Sequence, residues 1–522
     1  MSRNRNRNGK SSSGNNSITE RSGSLLNVTD SSLVRDSANL NYSFLPGSPL
    51  LSQYDAAFSA GNMYGPSSVP GLMLFKLTPN IGVTNKVTDP INLSAMQIYR
   101  KVRSVNSGAK NYDANNLMIY LMSMDSIYSY HAWMLRIYGV ASLYTSKNYY
   151  YPDMLVTAMG VDPDDLRSNS LKLKRYIELY AKRANTICVP AVFPIIMEHA
   201  ALYSNVYTDA KSILSQNYMF CPEKLYRYIE NASAGEKFGT LRLYNTIGSY
   251  GDNPVKGGWK IDDIIEYGDT LLEDALSSED FAIMSGDVQK AYETNLLTLP
   301  SDIDDNYTVE IVYDEDVLLA IHNADVQSGF SASEIAADPT SDRITQTLSC
   351  SITKSSMESA LGDTVDLNTK RIYDMHKENP TAMDNLVASR FKCILNPTPT
   401  VTPAANVYTV KACGPDVITH VLVFYFSSRG MELATVPMNM KAFTDDSISN
   451  EAAIRYISLT QYFDMAPIMH AHNYITVTGT STYDPANQVG QDIIGDIYNP
   501  TLVDSTTIEN MLVAYFMQLF NV

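Results

Sequence analysis

The sequence has few cysteines, little tryptophan and no long hydrophobic run, and each shortage excludes a class of protein. Its 522 residues include 5 Cys and 2 Trp. The cysteines are widely spaced, odd in number and never arranged as C-x-x-C, which argues against a disulfide scaffold or a zinc ribbon and suits a reducing compartment. The most apolar stretch, Val417 to Phe426, is too short to span a bilayer. The first residues are basic and polar, so we expect neither a signal peptide nor a membrane anchor.

Catalytic motifs are also missing. The sequence contains no G-x-S-x-G, no H-E-x-x-H, no Walker motif and no G-x-G-x-x-G. We therefore predict that the chain is not an enzyme. The alternative is an enzyme whose carboxylates converge only in the fold, for example Asp262 or Asp263 with Glu266.

Metal-binding patterns are incomplete. His470 and His472 form the only close histidine pair, and no third ligand can be named for it. The stretch from Asp302 to Asn306 begins like a calcium loop, but Tyr307 and Tyr313 occupy the positions that need Gly and a bidentate Glu. We predict no metal and no cofactor.

Charge is distributed unevenly along the chain. Residues 1–110 contain 12 Lys/Arg and 5 Asp/Glu, whereas residues 252–316, called the acidic segment below, contain 3 Lys/Arg and 18 Asp/Glu. The net charge of the whole chain is −17, so the acidic segment accounts for most of it. Phosphates attract the first region and repel the second, which suggests a protein with a nucleic-acid side and a solvent side.

Local patterns divide the chain into segments. Residues 1–24 are almost entirely Ser, Asn, Gly and Arg, a composition typical of a disordered arm. Helical patterns dominate from about 91 to 250, and residues 113–145 have the long apolar runs of a buried helix. Residues 250–450 are the most β-rich part, where we predict an antiparallel meander from Val407–Cys413, Val417–Phe426 and Met431–Val436.

One helix is especially well specified. Asp162 is a natural N-cap, with Pro163 at the first helical position. An apolar face follows at helical spacing, formed by Leu173, Tyr176, Ile177, Tyr180 and Ala184. The other side, called the basic helix face below, consists of Lys172, Lys174, Arg175, Lys182 and Arg183. Either solvent or RNA could face these cations, and the same alternatives apply to the cluster of Arg100, Lys101, Arg103 and Lys110.

The last helix is strongly apolar. Thr506 and Glu509 have the spacing of a capping box. An apolar stripe follows, and either the chain's own core or a neighbouring subunit must cover it. The stripe consists of Ile508, Met511, Leu512, Tyr515, Phe516, Leu519 and Phe520.

Tyrosine is abundant, with 35 Tyr beside 15 Phe. Its ring packs while its hydroxyl meets a wet partner, so it suits subunit contacts and carbohydrate surfaces alike. A Tyr-rich glycan-binding protein of a bacterial surface uptake system is therefore an alternative interpretation.

Four segments, taken in order, resemble the picobirnavirus capsid protein family. The first is YYYPD at Tyr149–Asp153, followed by Gly160-Val-Asp162. Glu279–Tyr292 contains an SGD-x-x-KA core, and Val309–Asn323 is similar to the strand and helix that follow it in the family. Tyr456–Pro467 is similar to a late family segment with an aromatic-Asp pair before a proline.

The resemblance implies a coat protein of a small double-stranded RNA virus, made in the host cytoplasm and located in the virion. It implies homodimers assembled into an icosahedral shell that encloses a segmented genome and the viral RNA polymerase. It also implies an α+β fold, mainly α, with a helical shell domain and a β-containing projecting domain. On this basis we predict a basic arm at 1–44, a shell domain at 45–250, an acidic projecting domain at 251–450 and a helical return to the shell at 451–522.

The same reading assigns two candidate surfaces. The predicted RNA-facing residues are Arg3, Arg5, Arg7, Lys10, Arg100, Lys101 and Arg103. The predicted assembly contact consists of Leu512, Tyr515, Phe516, Leu519 and Phe520.

Overall fold

The computed structural model contains helices and β-sheets that share one core, so the predicted α+β class is confirmed. The residues that the structure describes are 70–108, 112–145, 148, 150–210, 215–230, 239–246, 258–338, 343–353, 370–396, 398, 400–402, 405–427, 430–435, 441–443, 459–474, 488–494 and 497–522. The predicted arm at 1–44 lies outside these residues.

The helical part is built around one long buried helix. The helices of the described residues are α1 Pro90–Val105, α2 Ala114–Ala141, α3 Tyr150–Ala158, α4 Pro163–Ala184, α5 Pro194–Ser204, α6 Ile261–Ser277, α7 Glu279–Tyr292, α8 Glu315–His322, α9 Ala382–Ala388 and α10 Ser505–Leu519. Almost every residue of α2 is buried, as its apolar runs predict, and it packs against α1, α4, α5 and α6. Among the described helices, none combines the length and hydrophobicity that crossing a bilayer requires.

The start of α4 follows the sequence prediction. The Asp162 carboxylate accepts hydrogen bonds from the backbone N–H groups of Asp164 and Asp165, and Pro163 occupies the first turn. The apolar face from Leu173 to Ala184 is buried as predicted. Helix α10 begins differently: its N-cap is Asp504, whose side chain accepts from the Thr507 N–H, so the predicted capping box of Thr506 and Glu509 is wrong.

The strands of the described residues form several small sheets around one six-stranded sheet. They are β1 Leu72–Pro79, β2 Val189–Pro190, β3 Val206–Thr208, β4 Asn217–Pro222, β5 Lys224–Ile229, β6 Thr240–Asn245, β7 Leu296–Leu297, β8 Ile311–Val312, β9 Phe330–Ala332, β10 Ala336–Asp338, β11 Arg343–Thr345, β12 Leu348–Thr353, β13 Lys370–Asp374, β14 Cys393–Leu395, β15 Thr400–Val401, β16 Ala405–Cys413, β17 Asp416–Ser427, β18 Gly430–Thr435, β19 Lys441–Phe443, β20 Met469–Tyr474, β21 Gln488–Ile494 and β22 Pro500–Asp504.

The largest sheet has the order β18-β17-β1-β4-β3-β8, with β1 antiparallel to β17 and parallel to β4. A second sheet has the order β14-β16-β12-β9, and β15 also pairs with β16. The predicted hairpin of β17 and β18 is present, but β16 does not pair with β17. Gly414 lies against the Arg390 carbonyl, where a Cβ would be 1.5 Å from the oxygen, and the chain crosses there from one sheet to the other. The predicted three-stranded meander is therefore wrong.

The main hydrophobic core contains residues from most of the described chain. Leu72, Leu173, Leu271, Phe424 and Phe516 all belong to it. Helices α6 and α7 lie within the predicted projecting domain at 251–450, yet they pack against α4 and α1. The segment from 251 to 450 therefore does not pack as a unit separate from the helical core in the described residues.

Candidate assembly and RNA-facing surfaces

The RNA-facing prediction is only partly within the described residues. Arg3, Arg5, Arg7 and Lys10 lie outside them, as does Lys110.

Arg100, Lys101 and Arg103 occupy the C-terminal part of α1. Arg100 and Lys101 are exposed. The Lys101 ammonium lies 4.2 Å from the centre of the Tyr292 ring, and Arg103 donates to the Gly108 carbonyl at 2.7 Å. Cations are also favourable at a helix C-terminus, so this cluster has structural roles that do not require RNA.

The basic helix face, which lies on α4, contacts the acidic segment. Lys172 pairs with Asp262 and Lys174 with Asp305. The Arg183 guanidinium lies 2.5 Å from the Asp269 carboxylate, which also accepts from the Tyr176 hydroxyl at 3.1 Å. Part of the negative charge of the acidic segment is therefore paired with cations of α4. Arg175 and Lys182 are exposed.

We expect the Arg183–Asp269 pair to make a modest, salt-sensitive contribution. Both side chains are partly exposed, at 33% and 45%, and such pairs are worth about 0.2–1 kcal/mol. A double-mutant cycle with Arg183→Ala and Asp269→Ala, measured by urea unfolding, should give a coupling free energy in that range at low salt and a smaller one at high salt. A coupling of zero at low salt would show that solvent, rather than Asp269, satisfies Arg183.

The predicted assembly contact on α10 is buried within the chain. Leu512, Tyr515, Phe516, Leu519 and Phe520 are between 1% and 5% exposed. The Phe516 ring stacks on Phe520, and Phe520 packs against Phe193. Because the chain's own core covers these side chains, they offer no surface to a neighbouring subunit in this fold. Of the two alternatives for the apolar stripe, the chain's own core is the one that covers it. The prediction that these residues form an assembly contact is corrected accordingly.

A buried group of charges underlies α10, and it was not predicted from the sequence. His199 on α5 donates from Nδ1 to the Asp125 carboxylate on α2, at 2.8 Å, and its Nε2 lies 3.3 Å from Asp416. Arg390, in the turn after α9, donates to Asp416 at 3.0 Å and to Glu198 at 2.9 Å. His199, Asp125 and Asp416 are all at most 2% exposed.

This buried charge network is completed by α10, because the Tyr515 hydroxyl donates to the Glu198 carboxylate at 2.7 Å. Burial opposes the ionisation of Asp416, but His199 and Arg390 outweigh that effect and hold its pKa at about 2. Burial likewise opposes the charge on His199, but Asp125 and Asp416 outweigh it and raise its pKa to about 10. The network therefore contains two cations and three carboxylates that need one another.

The stability that depends on His199 should fall as pH rises. Its pKa is about 6.5 in the unfolded chain and about 10 in the fold, so the stabilisation is complete below about pH 6.5 and is lost as pH rises through about 10. We expect the unfolding free energy of the wild-type chain to exceed that of His199→Gln by an amount that shrinks over this interval. Urea unfolding at about pH 6, 8 and 10 measures it. A constant difference would mean that His199 is neutral in the fold.

The two incomplete metal-binding patterns of the sequence differ in how far the structure describes them. Asp304 accepts from the Asn306 N–H at 2.8 Å, an ordinary turn contact, and the neighbouring Asp305 pairs with Lys174. His470 and His472 lie in β20, and their side chains are outside the described set. A different group, which no local sequence pattern revealed, places His322, Asp374 and His376 close together.

Three comparisons with known proteins agree. Residues 31–363, more than half of the chain, match the family model described as Picobirnavirus, Capsid protein. The capsid protein precursor of Human picobirnavirus (strain Human/Thailand/Hy005102) is 33% identical over 283 residues, which are 53% of this chain and 50% of that protein. The chain thus spans about half the length of the curated relative it matches.

The fold is similar to that in the X-ray crystallographic structure of the picobirnavirus capsid. The TM-score is 0.74 at 21% sequence identity, and the match covers 94% of this chain and 97% of that chain. The family that the short segments predicted is confirmed by the family model, which covers residues 31–363. This chain belongs to the picobirnavirus capsid protein family.

Proposed function

We propose that this chain is a structural protein that self-assembles as dimers into an icosahedral shell enclosing a segmented double-stranded RNA genome. The observation that carries the proposal is the fold likeness to a picobirnavirus capsid over 94% of the chain. The shell would also hold the viral RNA polymerase. The protein would be made in the host cytoplasm and would end in the virion.

The role that fits this family is structural rather than catalytic. The glycan-binding alternative loses its main motivation, because many of the tyrosines are core residues. Tyr120, Tyr130, Tyr180, Tyr203, Tyr218 and Tyr226 are each at most 1% exposed. Their rings cannot stack on a sugar without unpacking the core.

Apolar side chains that remain exposed are the more plausible source of subunit contacts. Leu171 and Leu179 on α4 are 57% and 52% exposed, and Met197 on α5 is 53% exposed. Apolar contact area between subunits has to come from side chains that the chain's own core leaves exposed. They replace the α10 residues as candidates for assembly.

Expression of the chain alone tests the proposal. We expect closed particles in negative-stain micrographs, and dimers or larger species by light scattering. Monomers only, over a range of salt and pH, would contradict it. If Leu171 and Leu179 lie at subunit contacts, the double variant Leu171→Ser, Leu179→Ser should give fewer particles than the wild type. Gln97→Ser, a change at an exposed residue of a different helix, α1, is the control.

Deleting residues 1–24 should leave the fold intact and reduce the RNA content of the particles. Arg3, Arg5, Arg7 and Lys10 would contribute sequence-independent attraction to phosphate. Four such contacts account for a slope of about −3.6 in a plot of log affinity against log salt. RNA per particle, measured by extraction, should fall. The salt slope for double-stranded RNA should become shallower by about that amount.

The full-length variant with all four cations replaced by Gln keeps the length of the arm and changes only its charge. It should behave like the deletion. Equal RNA content in wild-type, deleted and neutralised particles would rule out the arm as an RNA tether.

A further inference from the structure

Three side chains with metal-ligating atoms meet at one point of the fold. His322 is the last residue of α8, Asp374 is the last residue of β13, and His376 follows two residues later. One ligand atom from each lies within 4.8 Å of the others. His322 Nε2 is 2.9 Å and His376 Nε2 is 2.8 Å from the same oxygen, Asp374 Oδ2. His322 and Asp374 are both fully buried.

The hydrogen bonds around His322 fix which nitrogen carries its proton. Nδ1 lies 2.9 Å from the Ala466 carbonyl, which can only accept, so Nδ1–H is the donor. In the neutral ring, Nε2 therefore presents a lone pair to the Asp374 carboxylate. An imidazole whose Nδ1–H donates to a backbone carbonyl while Nε2 is left for a ligand is a common arrangement in metal sites.

His376 adds a second nitrogen. Its Nε2 is buried and lies close to Asp374 Oδ2, but within the part of the chain that the structure describes it has no hydrogen-bond partner. The His322 and His376 rings are perpendicular, with centres 4.8 Å apart. Two nitrogen atoms and a carboxylate oxygen thus converge with no positive group among them. A cation at this point would satisfy all three.

The carboxylate is held in place by the surrounding backbone. Asp374 Oδ1 accepts from the Asn499 N–H at 2.7 Å, and Oδ2 from the Tyr498 N–H at 3.2 Å. The Asn323 side chain forms two hydrogen bonds with the backbone of Asp374, donating to its carbonyl at 2.7 Å and accepting from its N–H at 2.9 Å. Such outer contacts orient a ligand set before any ion arrives.

We propose that His322, Asp374 and His376 form a binding site for a divalent transition-metal ion, with Zn²⁺ as the best fit. Two imidazoles and one carboxylate suit zinc, which is bound at about 2.0–2.2 Å and in tetrahedral sites leaves its ligands about 3.3 Å apart. To admit the ion, the two N–O separations of 2.8 and 2.9 Å would widen by about 0.5 Å. The two histidine nitrogens, which lie within 4.8 Å of each other, would also settle at about 3.3 Å. Water would occupy the fourth position.

One side of the site lies near the surface. The His376 side chain is 16% exposed, and its ring packs against Tyr498, which is 63% exposed. The ion would join the end of α8 to the end of β13, and through backbone contacts to Ala466, Tyr498 and Asn499. Metal binding would therefore stabilise the packing of the late part of the chain on the core.

Metal content of the full-length protein tests the site. The protein is treated with a chelator, dialysed, loaded with Zn²⁺, dialysed again and analysed by mass spectrometry for zinc. We expect about one zinc per chain in the wild type and an affinity about 100-fold weaker or worse in His376→Ala. Cobalt(II) in place of zinc should give the visible absorption of a tetrahedral site in the wild type only.

Two matched controls separate this site from other histidines. His420→Ala removes a partly exposed histidine that lies beside Glu223, and the double variant His470→Ala, His472→Ala removes the H-x-H pair. Both should retain zinc. The thermal midpoint of metal-free His376→Ala should be close to that of the metal-free wild type. Zinc should raise the midpoint of the wild type and of both controls, but not that of His376→Ala.

Three results would overturn the proposal: wild type that retains no more zinc than His376→Ala, loss of zinc in the H-x-H variant instead, or zinc binding without a rise in the thermal midpoint. In the first case a proton, rather than a metal ion, satisfies the cluster.

Discussion

Replacing Asp416 with asparagine is expected to lower the free energy of unfolding by about 3–5 kcal/mol, because it leaves two buried cations without their shared counter-charge. Asp416 is fully buried between His199 and Arg390. Asparagine has nearly the same shape, so the change removes the charge without opening a cavity. Asp125 and Glu198 remain, but each contacts only one of the two cations.

Urea unfolding of the wild type and Asp416→Asn measures this loss. Asp269→Asn is the matched control, since it makes the same chemical change at a partly exposed ion pair and should cost less than about 1 kcal/mol. The double variant His199→Gln, Asp416→Asn should regain part of the loss, because one of the unpaired cations is gone. A loss below about 1 kcal/mol for Asp416→Asn would show that water reaches the network.

Replacing Phe516 with alanine should cost about 3–5 kcal/mol, as is usual for large-to-small changes of a buried aromatic side chain. Phe516 is 5% exposed and stacks on Phe520. Its ring also faces Gly82, where an added Cβ would be 2.9 Å from the ring, and Gly82 has a positive φ of 79°. The space that the ring leaves cannot close without moving this backbone.

Unfolding free energy and particle yield, measured together, separate a core role of Phe516 from a role in assembly. Val513→Ala is the control on the same helix, since Val513 is 42% exposed and should change stability by no more than about 0.5 kcal/mol. A Phe516→Ala protein with wild-type unfolding but a low particle yield would restore the assembly interpretation of α10. We expect instead that Phe516→Ala lowers the free energy of unfolding, and that any loss of particles follows from this loss of stability.

Short-range signals predicted much of the helical part. The N-cap at Asp162, the apolar face of α4 and the buried α2 depend on residues within a few turns of one another, and all are as predicted. The hairpin of β17 and β18 is local in the same sense. The family resemblance also depended on short contiguous motifs.

Long-range features were not predictable in this way. At Gly414 the chain leaves the sheet of β16 and enters that of β17. Gly414 packs there against the Arg390 backbone, a contact between distant residues that no turn signal encodes. The buried charge network brings together Asp125, His199, Arg390 and Asp416, and the metal-ligating group brings together residues 322 and 374. The sequence could not decide whether RNA or solvent faces the basic helix face, because the carboxylates that pair with it follow about 90 or more residues later.

The position of β1 limits when this chain can fold. Leu72 to Phe75 are fully buried between β4 and β17, and a hydrogen bond from Thr419 to the Lys76 carbonyl spans 343 residues. At about 5–20 residues per second, a ribosome needs roughly 17–70 s to make that interval. During this time β1 has an unpaired apolar edge, so the nascent chain needs protection from aggregation. Under the proposed function, subunits would become competent for assembly only after β17 has been synthesised, which would separate translation from particle formation in time.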